Sequence, residues 1–274
     1  MAGAARLALW MHRCLPIQST ISITSGVQYI KAVELPGATM VIQDTNLAIE
    51  DSLFSGLSFF GQGAIVLSNS NVTFVNATFT ANNNSAAGAI YANDTSSVTV
   101  LDSTFQGNGG GQGGAISMWN SSLLVNGTAF QGNIGRSAGG AIAANNASLV
   151  TIITSTFTSN VAENGGAIFI EEGVQGTVRE CLFESNVADF GGAIFRGSTS
   201  GDIIGSVFTS NKASKIGGAI YDSHAKGDIT TSTFQGNSAP KGKAIFRTES
   251  NGELVDNKKL DEDTQVTIDN PSST

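Results

Sequence analysis

Residues 96–118, SSVTVLDSTFQGNGGGQGGAISM, are followed at 121–144 by SSLLVNGTAFQGNIGRSAGGAIAA. The two stretches share a Phe, an Asn three residues later, and a Gly-Gly-Ala-Ile after that. Working outward in both directions, the Phe recurs at Phe79, Phe105, Phe130, Phe157, Phe183, Phe208 and Phe234, in steps of 25 to 27 residues. Each is followed by its Asn: Asn82, Asn108, Asn133, Asn160, Asn186, Asn211 and Asn237. The Ala-Ile pair begins at Ala64, Ala89, Ala115, Ala141, Ala167, Ala193, Ala219 and Ala244. A fixed period in this range is the mark of stacked structural repeats.

Within each unit the positions five before the Phe read Phe74, Val100, Val125, Ile152, Val178, Ile203 and Ile229. Alternating apolar, largely β-branched residues predict strands, and the Gly and Asn punctuation excludes long helices. The unit is therefore expected to hold one strand of the SVTVLDSTF kind, a turn at the Asn and a second short strand at GGAIFI. Strands that recur in one direction with no room for a crossover helix run parallel to their copies. The fold class is thus all-β, a right-handed parallel β-helix of about eight rungs, each of 25–27 residues, every rung hydrogen-bonded to the next. Rungs about 4.8 Å apart give a rod of about 40 Å. Phe is expected to stack inside, Asn to bond its counterparts above and below, and the Gly-Gly pair to serve either a positive φ or a close backbone approach.

Three segments follow from the pattern. Residues 1–53 are read as an N-terminal cap with degenerate rungs, 54–246 as the repeats, and 247–274 as a final partial rung with a polar tail. Leu57 in place of the Asn, and Gln62-Gly63 and Gly242-Lys243 in place of Gly-Gly, mark the ends of the array. Charged residues make up only 13% and the net charge is −8, which argues against nucleic acid, since phosphate contacts need clustered Lys and Arg. No apolar run is long enough for a transmembrane helix. Cys14 and Cys181 make no disulfide framework; Cys181 falls where other rungs carry Ala77, Ser103, Thr128, Ser155, Ser206 and Ser232, a row of small residues. Seven Asn-x-Ser/Thr sequons, at Asn71, Asn76, Asn83, Asn93, Asn120, Asn126 and Asn146, point weakly to a glycosylated, secreted chain.

The alternation of Phe-x-x-Asn with Gly-Gly-Ala-Ile over about residues 54–246 resembles the repeats of the chlamydial polymorphic outer membrane proteins, autotransporter adhesins with a pectin-lyase-like β-helix. The resemblance implies surface exposure and adhesion to a host or neighbouring cell-surface protein or polysaccharide, hence an extracellular or cell-surface location. The chain shows neither a clear signal peptide nor the C-terminal β-barrel such autotransporters use.

Two rows are candidate sites. Asp202, Asp228 and Glu253, each preceded by Gly, stand on successive rungs about 5 Å apart. Carboxylates so close favour a bound cation such as Ca2+, or paired acid–base chemistry on a polysaccharide; the plain reading is solvated turn residues. The second row is Val66, Tyr91, Ser117, Ala143, Phe169, Phe195, Tyr221 and Phe246. Facing outward it would suit sugar rings or a protein partner; the charged residues at the next position, Arg196, Asp222 and Arg247, favour placing the aromatics inside. The Gly109 to Gly114 stretch is a repeat's own turn rather than a nucleotide loop. His224 is read as a loop histidine, because its sequence neighbours Ser223 and Asp222 alternate faces. The expected function is a non-enzymatic interaction module for adhesion or carbohydrate contact. The alternatives are a polysaccharide lyase or hydrolase, for which Arg179 or Lys226 is the nearest base by register, and a structural spacer in a larger surface protein.

Overall fold

The computed structural model describes residues 19–23, 29–31, 34–36, 38–57, 61–146, 148–259 and 266–269. Every strand pairing is parallel. One sheet has 11 strands and two have 10, and each strand bonds the equivalent strand of the rungs before and after it. A representative rung runs through Ile90–Asn93 in the first sheet, Ser97–Leu101 in the second and Thr104–Gln106 in the third. Register follows the repeat: Val98 pairs Leu123, Phe105 pairs Phe130, and Ile116 pairs Ile142.

Each rung therefore has three strands where the sequence predicts two, because SVTVLDSTF is broken at Asp102. That residue, three before the Phe, has φ 48°, and the equivalents Asn76, Gly127, Thr154, Glu180, Gly205 and Thr231 are also left-handed. Left-handed backbone strains residues other than Gly and, less so, Asn and Asp, so a strand cannot pass through it straight. The corner breaks the alternation of buried side chains: Val98, Val100, Ser103 and Phe105 are all buried, with a gap of three between the middle two.

The two glycines before Ala-Ile do different things. The first turns the chain, with φ between 53° and 69° at Gly139, Gly165, Gly191 and Gly217. The second sits against the next rung: a Cβ on Gly140 would lie 2.0 Å from the Gly166 carbonyl oxygen, and one on Gly166 would lie 2.1 Å from that of Gly192. No side chain fits there.

Inside, the Phe side chains form one stacked column from Phe54 to Phe234, with ring centroids 4.6 Å apart at Phe79–Phe105 and 4.9 Å at Phe208–Phe234. Beside it runs the Asn ladder. The Nδ2 of Asn133 donates to the Phe105 carbonyl at 3.0 Å and to Asn160 Oδ1 at 3.0 Å, while the Asn133 backbone N–H donates to the same Oδ1 at 3.0 Å. The pattern repeats at Asn82, Asn108, Asn160, Asn186 and Asn211. Each buried amide thus satisfies a corner that no strand ladder reaches. At the first copy Leu57 brings no amide, and its N–H is taken up by Asn82 Oδ1 at 3.1 Å.

A third row caps the other corner with hydroxyls: Ala77 N–H donates to Ser103 Oγ and Thr128 N–H to Ser155 Oγ. Cys181 belongs to this row. It is 2% exposed, its thiol donates to the Arg179 carbonyl at 3.2 Å, and its N–H is capped by Ser206 Oγ. Burial pushes the thiol up to about 11 from an ordinary 9.0. Since the thiolate is the nucleophile, native protein at pH 8 is expected to label with iodoacetamide at Cys181 about 100-fold more slowly than in urea, read by mass spectrometry of that peptide. Equal rates would contradict the burial. An unfolded-state thiol that ionises first also means that this residue's contribution to stability is intact below about pH 9 and falls as pH rises towards 11. Cys14 lies outside the described residues.

Candidate functional site

The Gly-Asp, Gly-Asp, Gly-Glu column occupies consecutive rungs at the end of the second sheet, as its spacing requires. One oxygen of each aspartate is engaged by backbone. Asp202 Oδ1 accepts the Asp228 N–H at 2.9 Å, and Asp228 Oδ1 accepts the Glu253 N–H at 2.7 Å. The direction is opposite to that at the other corners, where Asn and Ser side chains accept from the N–H of the previous rung. Among the described residues no group of three or more His, Cys, Asp or Glu side chains is placed to hold a metal ion.

The glycines of that column serve residues on the other side of the wall. Arg196, Asp222 and Arg247 are 1%, 0% and 2% exposed. They stack in a lumen row whose earlier members, in register, are Leu67, Ala92, Met118, Ala144 and Ile170. Arg196 clamps Asp222 with Nε at 2.7 Å and Nη2 at 2.6 Å, while Arg247 Nε lies 3.1 Å from Asp222 Oδ2. The remaining guanidinium donors reach backbone: Arg196 Nη1 donates to the Gly201 carbonyl, Arg247 Nη1 to that of Gly252 and Arg247 Nη2 to that of Gly227. Burial pulls the Arg247 guanidinium below its ordinary value, Asp222 opposes that, and Arg196 adds to it.

This reverses the sidedness expected from the sequence. The charged row is inside, and the aromatic row is outside the main core. Ala138, Ala143 and Phe169 form a second buried cluster, with Phe195 packed against it. The loop between the Asn and the Gly-Gly covers this row: Val187–Phe190 pairs with Lys212–Ile216 in a small sheet of its own. Phe169 stacks on Phe195 at 5.0 Å, Phe195 meets Tyr221 edge-on at 5.1 Å, and Tyr221 lies 5.7 Å from Phe246. Lysines crown the stripe, with Lys215 Nζ 4.8 Å above the Phe190 ring and Lys241 Nζ 4.4 Å above Phe246. Lys215 also pairs with Asp189 at 2.9 Å. A hydrogen bond from Ser214 and then Lys215 hold the Asp189 carboxyl below its usual range. Phe195 and Tyr221 remain half-exposed, so the stripe offers ring faces and edges beside ammonium groups.

At the corner between the first and second sheets, Ser223 Oγ lies 3.0 Å from His224 Nδ1, and His224 Nε2 lies 2.6 Å from Glu249 Oε2. Ser223 meets the ring at a corner where His224 has φ 58°, while Asp222 lies buried in the lumen, so the three neighbours form no local triad. Glu249 comes from the same corner one rung later. The histidine and glutamate side chains are 53% and 46% exposed; water competes for every bond in the chain, unlike the dry setting in which such a group activates a nucleophile.

Residues 36–199 match the family described as "Right handed beta helix region". The chain belongs to the right-handed β-helix family. Residues 205–223 of this β-helix match the Chlamydia polymorphic membrane protein repeat, so the family resemblance carried by Phe-x-x-Asn and Gly-Gly-Ala-Ile is found. No curated protein matches it. A solved structure, the TibC-catalyzed hyper-glycosylated TibA fragment, aligns with 91% of this β-helix and 97% of its own chain at 10% identity, with a TM-score of 0.17. No helix among the described residues is long and apolar enough to cross a membrane.

Proposed function

We propose that this β-helix is a non-enzymatic interaction module of a cell surface or of the extracellular space, contacting polysaccharide or a partner protein through its outer aromatic stripe. The observation that carries the reading is the displacement of Phe169, Phe195, Tyr221 and Phe246 out of the lumen. Core packing does not require aromatics there: the same outer row holds Ser117 and Ala143 on earlier rungs of the same sheet. Phe169 and Phe246 are buried, so Phe195 and Tyr221, on adjacent rungs and partly exposed, offer the accessible aromatic surface to sugar faces, and the lysines add donors at its edge. The repeat match supports a surface location. A host or neighbouring cell-surface ligand follows from the resemblance.

Binding to a glycan array, with cell binding in parallel, tests this. Tyr221→Ala is expected to weaken binding about tenfold, a typical loss for an aromatic anchor. Leu149→Ser, on an exposed position of the second sheet, is expected to leave it unchanged. Equal binding by both variants would remove the stripe as the contact surface.

A further inference from the structure

The corner that carries His224 borders an open recess of about 380 Å³ lined by Gly173, Ser198, Thr199, Ser200, His224 and Lys226, at the small end of ligand-sized cavities. Two observations set it apart from the other corners. Thr199 is 3% exposed and its Oγ1 has no hydrogen-bond partner, although buried hydroxyls are nearly always paired. In the equivalent row Ser70 and Ser148 cap the previous rung, accepting from the N–H groups of Thr45 and Ser121, so this hydroxyl has left a structural duty. The second observation is charge. Glu249 is taken up by His224, while Lys226 has no ion-pair partner among the described residues. Its backbone N–H donates to the Thr199 carbonyl at 2.9 Å, which fixes the lysine's main chain on the rung next to Thr199.

We propose that this recess binds one sugar unit bearing an acidic group, a carboxylate or a sulfate ester. Lys226 Nζ meets the anion, and the exposed hydroxyls of Ser198 and Ser200 meet the ring hydroxyls. The inference rests on the carbohydrate-contact reading and names the substituent it would select. A recess rich in hydroxyls discriminates through paired polar groups rather than area, and a single exposed lysine adds a charge-assisted bond that a neutral sugar cannot make.

The test is an NMR titration of the whole chain with three probes: glucuronic acid, glucose 6-sulfate and methyl glucoside. Expected are shifts at the amides of Thr199, Ser200 and Lys226 with one or both acidic sugars, and binding at least tenfold weaker for methyl glucoside. Which acidic probe shifts them separates carboxylate from sulfate. Lys226→Gln should erase the preference while leaving the melting temperature unchanged, and Ser200→Ala should weaken the acidic sugars severalfold. Equal binding of methyl glucoside, a preference that survives Lys226→Gln, or no response to either acidic sugar would each overturn the proposal. Array binding that is lost in Tyr221→Ala but indifferent to Lys226→Gln would sink the recess alone; a chain that binds no glycan at all would sink the broader reading with it.

Discussion

Asp222→Ala is expected to destabilise the β-helix by about 3–5 kcal/mol, the cost of leaving a buried charge without its partner. The variant keeps two guanidinium groups that are 1% and 2% exposed and removes the one carboxylate that pairs with both. Their backbone acceptors at Gly201, Gly227 and Gly252 carry only partial charge and cannot replace it. By contrast, the triple variant Arg196→Met, Asp222→Ala, Arg247→Met is expected to be as stable as the parent or more stable by up to about 4 kcal/mol. It makes the row apolar throughout, as it already is at Leu67, Ala92, Met118, Ala144 and Ile170. Urea unfolding followed by circular dichroism reads both. A single variant within about 1 kcal/mol of the parent would mean that water reaches the lumen at these rungs.

Asn160→Ala carries the second large effect. Asn160 Oδ1 accepts two bonds from Asn133, and Asn160 Nδ2 donates to the Phe130 carbonyl and to Asn186 Oδ1. Asn133, Asn160 and Asn186 are all 0% exposed. Truncation therefore strands two N–H donors of Asn133 and a buried carbonyl at once, at about 1–3 kcal/mol each, for a total of about 3–9 kcal/mol. The lesion lies mid-array, and in a solenoid each rung is held only by its neighbours, so amide hydrogen exchange should accelerate most in the rungs around it. Gln131→Ala, an exposed strand position nearby, should stay within about 0.5 kcal/mol of the parent. A cost below about 1 kcal/mol for Asn160→Ala would show that the ladder contributes geometry without energy.

The two candidate surfaces differ in how far the sequence could reveal them. The aromatic row was legible as a row, since its members recur with the Ala-Ile pair. Its side was not, because strand alternation assigns two neighbouring rows to opposite faces without saying which is in. The usual tie-breaker, that charges face water, chose wrongly here: Arg196, Asp222 and Arg247 pair across adjacent rungs, with both arginines also donating to backbone carbonyls, and so tolerate the lumen. The acidic column was legible too, and what escaped was that each Asp oxygen caps the following rung's amide while its preceding glycine offers a carbonyl to an arginine inside. The recess at Lys226 left no sequence signal beyond single residues, as its lining comes from three successive rungs.

What the sequence determined by itself is the solenoid: the period, the parallel stacking, the Phe column and the Asn ladder, all of them consequences of one residue type recurring at one place in each turn. The position of the third strand in each rung, the sidedness of the aromatic stripe, and the pairing of Ser223, His224 and Glu249 were decided only in the tertiary structure. The physical reason is common to the three. Each depends on left-handed corner residues and on contacts between rungs, and neither is written in the local alternation of polar and apolar side chains.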